Sequence, residues 1–242
     1  MNLLTTLCTR IEDNSFEVMW RNGSKKQGIM RINVVANVND PEVIAELSAL
    51  QWLLGHRSIF GPTQTGKGLK LTVTSGAIKK LLKNVRNGVP DKSAITKPHL
   101  IPYGRFLWHR FSGLEIDVSK DASWLLPRAQ NDIETVEIRE PLSEVIEIPN
   151  LGLVEVTDHA ITQYASRLAN VDQPDLWRLF RQAVARLRRV DLSEEQVMQK
   201  AAKHGEAGEL WVNDALRWGF VVIRTEFLPK IVTAHAIKMT RV

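Results

Sequence analysis

The chain has 242 residues, 44% hydrophobic and 24% charged, enough for one large domain or two small ones. Lys and Arg outnumber Asp and Glu by 32 to 27, and the resulting +5 is compatible with a polyanionic partner. A single cysteine, Cys8, excludes an internal disulfide and a multi-cysteine zinc cage and points to a reducing cytoplasmic setting. No run reaches the roughly 18 apolar residues of a membrane span, and the start lacks the basic flank of a secretory signal.

The first expected strand covers 15–22 and turns at Asn22-Gly23, ahead of Lys25 and Lys26. The run GIMRINVVANVN (28–39) alternates, with Ile32, Val34, Ala36 and Val38 on one side and Arg31, Asn33 and Asn37 on the other, as a half-buried antiparallel strand does. Asp40 is placed to cap, and Pro41 to open, a helix over 41–56 with Val43, Leu47, Leu50 and Leu54 on one stripe. Gly55 and the turn-rich GPTQTGKG (61–68) end it. That run is no phosphate loop, because Gly68 stands where Ser or Thr must follow the lysine and a strand follows where a helix should.

A strand at 69–74 leads into a helix over 75–84, with Ile78, Leu81 and Leu82 inward and Lys79, Lys80 and Lys83 in water. Residues 85–106, rich in proline and basic side chains, read as an irregular functional loop, and 114–126 returns to strand and turn. Acidic residues between Asp132 and Glu147 mark a boundary, giving a first domain at 1–131, an acidic linker at 132–150 and a second domain at 151–242.

The second domain is expected as a strand at 151–156, helices at 158–169 and 174–190, and strands at 209–213, 217–226 and 229–239. In the first helix Thr157 caps, Ile161, Tyr164, Ala165 and Leu168 face inward, and His159, Gln163 and Arg167 share another face at spacings of four. The second helix turns Trp177, Phe180, Val184 and Leu187 inward and Arg178, Arg181, Arg186, Arg188 and Arg189 elsewhere, a density of positive charge that calls for an anionic partner.

A hairpin and strand, a helix containing Ala45-Glu46-Leu47, and a strand ending in LTVTSGAIKKLL (71–82) resemble the central part of the RNase H fold over residues 15–125. In that family carboxylates on the first strand, the first helix and the end of the fourth strand bind two divalent metals; the matching places here hold Asn22, Glu46 and Thr74. Neutral side chains hold Mg²⁺ poorly, and the spacing of Asp117 and Asp121 does not restore a ligand set. The resemblance therefore implies a nucleic-acid or protein platform without metal or other cofactor. Lys25, Lys26, Lys67, Lys70, Lys79, Lys80, Lys83, Arg86, Lys92 and Lys97, with Trp108, His109 and Arg110, are the expected phosphate and base contacts.

The order strand, two helices, meander, with the helix start His159-Ala160-Ile161 followed by Tyr164 and Arg167 and a closing FVVIRTEFLPKIVTAH (220–235), resembles RelE-like toxins and related ribonuclease domains of phages and mobile elements over 151–239. This resemblance implies metal-independent RNA cleavage or RNA binding, with a histidine or basic group moving protons and arginines stabilising the phosphorane. It singles out His159, Arg167 and Arg181 as catalytic, with Arg224 and His235 beside them, and Arg178, Arg186, Arg188, Arg189 and Arg224 as RNA contacts. The six histidines, His56, His99, His109, His159, His204 and His235, show no zinc-ligand spacing, and a serine nucleophile elbow is absent.

The expectation is a two-domain α+β protein, a mixed sheet with helices followed by a small strand-helix-helix-meander domain, that binds RNA, single-stranded by preference. One alternative is an active metal-independent endoribonuclease. The other is a protein-interaction module that inhibits a cellular target through an apolar patch near Trp108, Trp124 or Trp218.

Overall fold

The computed structural model describes residues 1–23, 26–83, 85–86, 89–90, 95–125, 133–168, 176–192, 198 and 208–237, with backbone alone at 85–86 and 89–90. They form an α+β chain with two mixed six-stranded sheets and five α-helices among the described residues. The chain divides into two compact units, Met1–Leu142 and Ser143–Val242. Among the described residues no helix is long and apolar enough to cross a membrane.

The first unit begins with a strand that residue alternation conceals. β1 (Asn2–Glu12) is an inner strand, and Leu4, Thr5, Thr6 and Leu7 are buried in succession on both faces. Such a strand shows no period of two, so a reading that starts the sheet at residue 15 misses it. β2 (Ser15–Asn22) and β3 (Lys26–Val34) complete an antiparallel meander. α1 (Pro41–Gln51) follows and runs into a π-helical turn, Trp52–His56.

β4 (Leu69–Val73) then pairs parallel with β1, followed by α2 (Gly76–Lys83) and a two-residue ladder of β5 (Val85–Arg86) with β6 (Val89–Pro90). α3 (Ile101–His109) leads to β7 (Glu115–Val118), parallel to β4, and β8 (Glu134–Ile138) closes the far edge parallel to β3. The sheet order is β7-β4-β1-β2-β3-β8, and β2 alone runs against the other five. Helix α1 packs on β1, β2 and β3, and one core joins Phe16, Val18, Met30 and Ile32 to Leu47, Leu50, Phe106 and Trp108.

Part of the segment read as an irregular loop is therefore helix. Pro98 and Pro102 occupy first-turn positions of a 3₁₀ turn (Pro98–Leu100) and of α3, where a missing N–H costs no intrahelical bond. Trp108, His109 and Arg110 lie in that core at 1%, 4% and 5% exposure, so they are not surface contacts for a polyanion. Asp40 stands at the N-cap of α1 but in the left-handed region, with φ of 56°, and its side chain does not cap the helix.

The stretch read as an acidic linker holds two strands, β8 and β9 (Glu144–Ile148), on either side of the division between the units. Val136, Ile138, Ile146 and Ile148 are buried while Glu137 and Glu147 point to water, and Glu144 is buried on the inner face of β9.

In the second unit β9 pairs with β10 (Gly152–Val156); α4 (Asp158–Arg167) and α5 (Leu176–Val184) follow, then β11 (Arg188–Val190), β12 (Glu209–Asn213), β13 (Trp218–Ile223) and β14 (Lys230–Ala236). The order is β11-β12-β13-β14-β10-β9, parallel only between β10 and β14. Tyr164 packs on Trp218 and Phe180 with ring centres 4.3 and 5.3 Å apart, and Trp177 and Phe220 extend the cluster. The arginine helix expected over 174–190 ends at Val184, because Arg188 and Arg189 pair as strand with Val212 and Trp211.

Candidate functional site

Where β1 and β4 lie parallel, α1 delivers Glu46 into the core. Its carboxylate is fully buried and accepts three hydrogen bonds: from Thr6 Oγ1 at 2.8 Å, from the Thr74 amide at 2.6 Å and from the Ser75 amide at 3.1 Å. Thr74 Oγ1 in turn accepts from the Cys8 amide at 2.8 Å. Burial is the largest influence on Glu46 and pushes its carboxyl above the ordinary range; the bonds from Thr74, Thr6 and Ser75 pull against it. Burial, and then the charges of Glu46 and Glu42, push the Cys8 thiol up, which makes it a poor nucleophile.

The structure thus brings Glu46 to Thr74 and Thr6, and not to Asn22. Asn22 ends β2 opposite Leu4, at the beginning of β1, and its amide donates to the Ile59 carbonyl at 3.4 Å. Thr72 pairs with Thr5, so Thr74 lies level with Leu7, about 10 Å further along the strands at roughly 3.3 Å per residue. Thr6 is the β1 residue that meets Glu46, and the doubly buried strand gave no signal for it.

Two divalent metals, of the kind the RNase H family binds, do not fit these residues. Thr6 and Thr74 carry no charge, and the one carboxylate is committed to three internal donors. Asp117 is bound by Lys70 at 2.7 Å and lies 3.9 Å from Lys79, and the Lys70 hydrogen bond holds its carboxyl low. Asp121 accepts from the amide and hydroxyl of Ser123 at 2.8 and 2.7 Å. No group of three or more His, Cys, Asp or Glu among the described residues could hold a metal ion.

Of the basic residues expected on this unit, Lys26, Lys67, Lys80 and Lys83 are exposed, and Lys70 and Lys79 share Asp117. Lys25, Lys92 and the side chain of Arg86 lie outside the described residues. Lys97 forms an ion pair with Asp40, whose other oxygen lies 2.8 Å from His99 Nε2; this clip fastens the start of α1 to the turn before α3. The hydrogen bond from Lys97 is the largest influence on Asp40 and lowers its carboxyl.

In the second unit His159 is exposed in the first turn of α4, where Thr157 Oγ1 caps the helix by accepting from the Ala160 amide at 3.2 Å. Arg167, eight residues on, is about 12 Å away along the axis at roughly 1.5 Å per residue, and it donates to the Gln163 carbonyl at 2.9 Å. Burial pushes the Tyr164 phenol up to about 12, so it is no base at neutral pH. Arg178 is exposed and Arg181 half-buried on α5. The His235 ring lies against β13 at Gly219, where an added Cβ would stand 2.5 Å from its Nε2.

Three arginines expected on RNA have carboxylate partners inside the unit. Arg188 grips Asp214 through Nε and Nη2 at 2.5 and 3.0 Å. Arg189 and Arg224 flank Glu209, at 3.3 and 3.2 Å, and Trp211 Nε1 donates to the same carboxylate at 2.8 Å. Burial alone would raise Glu209, but the Trp211 and Arg224 hydrogen bonds and the two arginine charges outweigh it and hold the carboxyl low. Arg186 is exposed and makes no ion pair among the described residues.

Compared with protein-family models, curated proteins and solved structures, the chain has no match in any of the three.

Proposed function

We propose that the chain binds single-stranded RNA without metal chemistry, its first unit an RNase H-like platform and its second a RelE-like basic module. The observation that carries the reading is the Glu46 knot: at the carboxyl end of the parallel β1–β4 ladder, where a nuclease of this kind would gather carboxylates, two threonines and an internally saturated glutamate stand instead. The strand order β7-β4-β1-β2-β3, with β2 alone reversed among them, supports the RNase H-like reading, and the run β10, α4, α5, then β11 to β14 supports the RelE-like one.

Binding is favoured over cleavage because His159 and Arg167 sit two helical turns apart and so do not converge on one phosphate. A protein-docking patch centred on Trp108 or Trp218 is disfavoured, as both are buried, and Trp124 is engaged by Arg21, which lies 5.7 Å from its ring centre. With Arg188, Arg189 and Arg224 in ion pairs, phosphate contact falls to exposed cations such as Lys80 and Lys83 on α2 and Arg186.

Filter binding to a mixed-sequence RNA oligomer in EDTA tests this. Affinity should fall as salt rises, with a slope of about −0.7 per neutralised phosphate, and the Lys80→Ala/Lys83→Ala double variant should flatten it by about 1.4. RNA should be recovered intact. A Kd weaker than about 10 μM at low salt, or one indifferent to salt, would remove the electrostatic basis of the reading.

A further inference from the structure

A pocket of about 280 Å³ opens just beyond the carboxyl end of β4, between the first turns of α2 and the segment that precedes α3. Its polar wall is Ser75, Lys80, Thr96 and Lys97, and Leu81 and Ile95 are apolar. The crevice outside the carboxyl ends of parallel strands is where sheets of this kind take ligands. The amides at the start of α2 do not create the site: Thr74 and Ser75 N–H are spent on Glu46, and Ala77 N–H bonds Ser75 Oγ at 3.3 Å.

The attraction comes from two ammonium groups brought from separate segments. Lys97 is held by Asp40, and one bond of its three-donor head is used there. Lys80 is exposed on α2 and makes no ion pair among the described residues. One uncompensated ammonium, the remaining N–H donors of Lys97, whose charge Asp40 offsets, and two hydroxyls suit an anionic group with several acceptor oxygens, the description of a phosphate monoester. The volume lies near the low end of small-ligand pockets, roughly 300 Å³, and exceeds what a bare phosphate fills, so the apolar wall is left for the sugar or base attached to it.

We propose that this pocket binds a phosphate monoester borne on a nucleoside, supplied as a free nucleoside monophosphate or as the 5′-terminal phosphate of an RNA strand. The claim goes beyond RNA binding by charge, and the two can fail separately.

Isothermal titration of the full chain with adenosine 5′-monophosphate, adenosine and inorganic phosphate reads the site. The monophosphate should bind, inorganic phosphate should compete, and adenosine should not bind. Lys80→Ala should weaken binding about tenfold or more, the loss of one hydrogen bond to a charged group. Lys120→Ala, an exposed lysine of the same unit outside the pocket wall, should leave it unchanged. Absence of binding up to about 10 mM monophosphate, or equal weakening by both variants, overturns the proposal. Oligomers with 5′-phosphate and 5′-hydroxyl ends distinguish the sources: a gain from the phosphate that Lys80→Ala abolishes assigns the strand end, and equal affinities alongside monophosphate binding assign the free nucleotide. Loss of all RNA binding with monophosphate binding intact would refute the RNA reading and leave the pocket standing.

Discussion

Glu46→Gln exchanges one oxygen for an amide nitrogen where α1 meets β1 and β4, and it should destabilise the first unit by about 2 kcal/mol. Oε1 of the carboxylate receives Thr6 Oγ1 and the Thr74 amide, and Oε2 receives the Ser75 amide. Glutamine can keep the first two bonds, but its NH₂ then confronts the Ser75 N–H, donor to donor. A buried donor left without a partner costs about 1–3 kcal/mol, and the two surviving bonds lose their charge assistance; relief from burying a charge opposes both.

Native-state hydrogen exchange reads the change at the Thr74 and Ser75 amides and separates the first unit from the second. Because burial raises the Glu46 carboxyl, its contribution is complete below the unfolded value of about 4.3 and is lost as pH rises through the folded value. Glutamine does not titrate, so the gap between wild type and variant should narrow as pH rises through that window. A variant within about 0.5 kcal/mol of wild type, with Ser75 exchange unchanged, would refute the account of the knot.

Asn22→Asp should give no Mg²⁺-dependent cleavage of RNA in a gel assay, since residue 22 is turned to the Ile59 carbonyl and Glu46 is committed to Thr6, Thr74 and Ser75. Gly66→Ala should cost about 3 kcal/mol or more in urea unfolding, because its Cβ would stand 2.1 Å from the backbone oxygens of Phe111 and Ser112. Gly76→Ala, whose Cβ meets nothing within 4 Å, should be neutral or stabilising by up to about 1 kcal/mol in the same assay. Glu209→Gln should cost about 1–2 kcal/mol at neutral pH. Since Glu209 is held low, its stabilisation is present above about 4.3 and disappears as pH falls through the folded value, so wild-type and variant unfolding curves should converge in acid.

How much of this was legible follows from how far apart the interacting residues lie. The meander of β2 and β3, the apolar stripe of α1 and the lysine-edged α2 are local patterns, and they placed Glu46 and Thr74 on the right elements. Thr6 was hidden because a strand buried on both faces has no period, and the first alternating strand took its place, which put Asn22 in the site. The five-arginine run looked like one helix face because helical periodicity cannot foresee that residues 188–190 will pair with β12. Its partners, Asp214 for Arg188 and Glu209 for Arg189, lie 26 and 20 residues away in sequence, beyond any local signal. His109 and Arg110 looked like surface chemistry until α3 turned them inward.

The knot around Glu46 also acts as a ratchet on sequence change. An aspartate at position 6 or 74 would set a second carboxylate close to the first in a dry interior, and at position 6 it would also remove the hydroxyl that donates to Glu46. Each such step is unfavourable before a metal is present to repay it, and no metal binds until at least two steps are taken. Two-metal chemistry at this place therefore cannot be reached one substitution at a time, and any use of the crevice is built around the closed carboxylate.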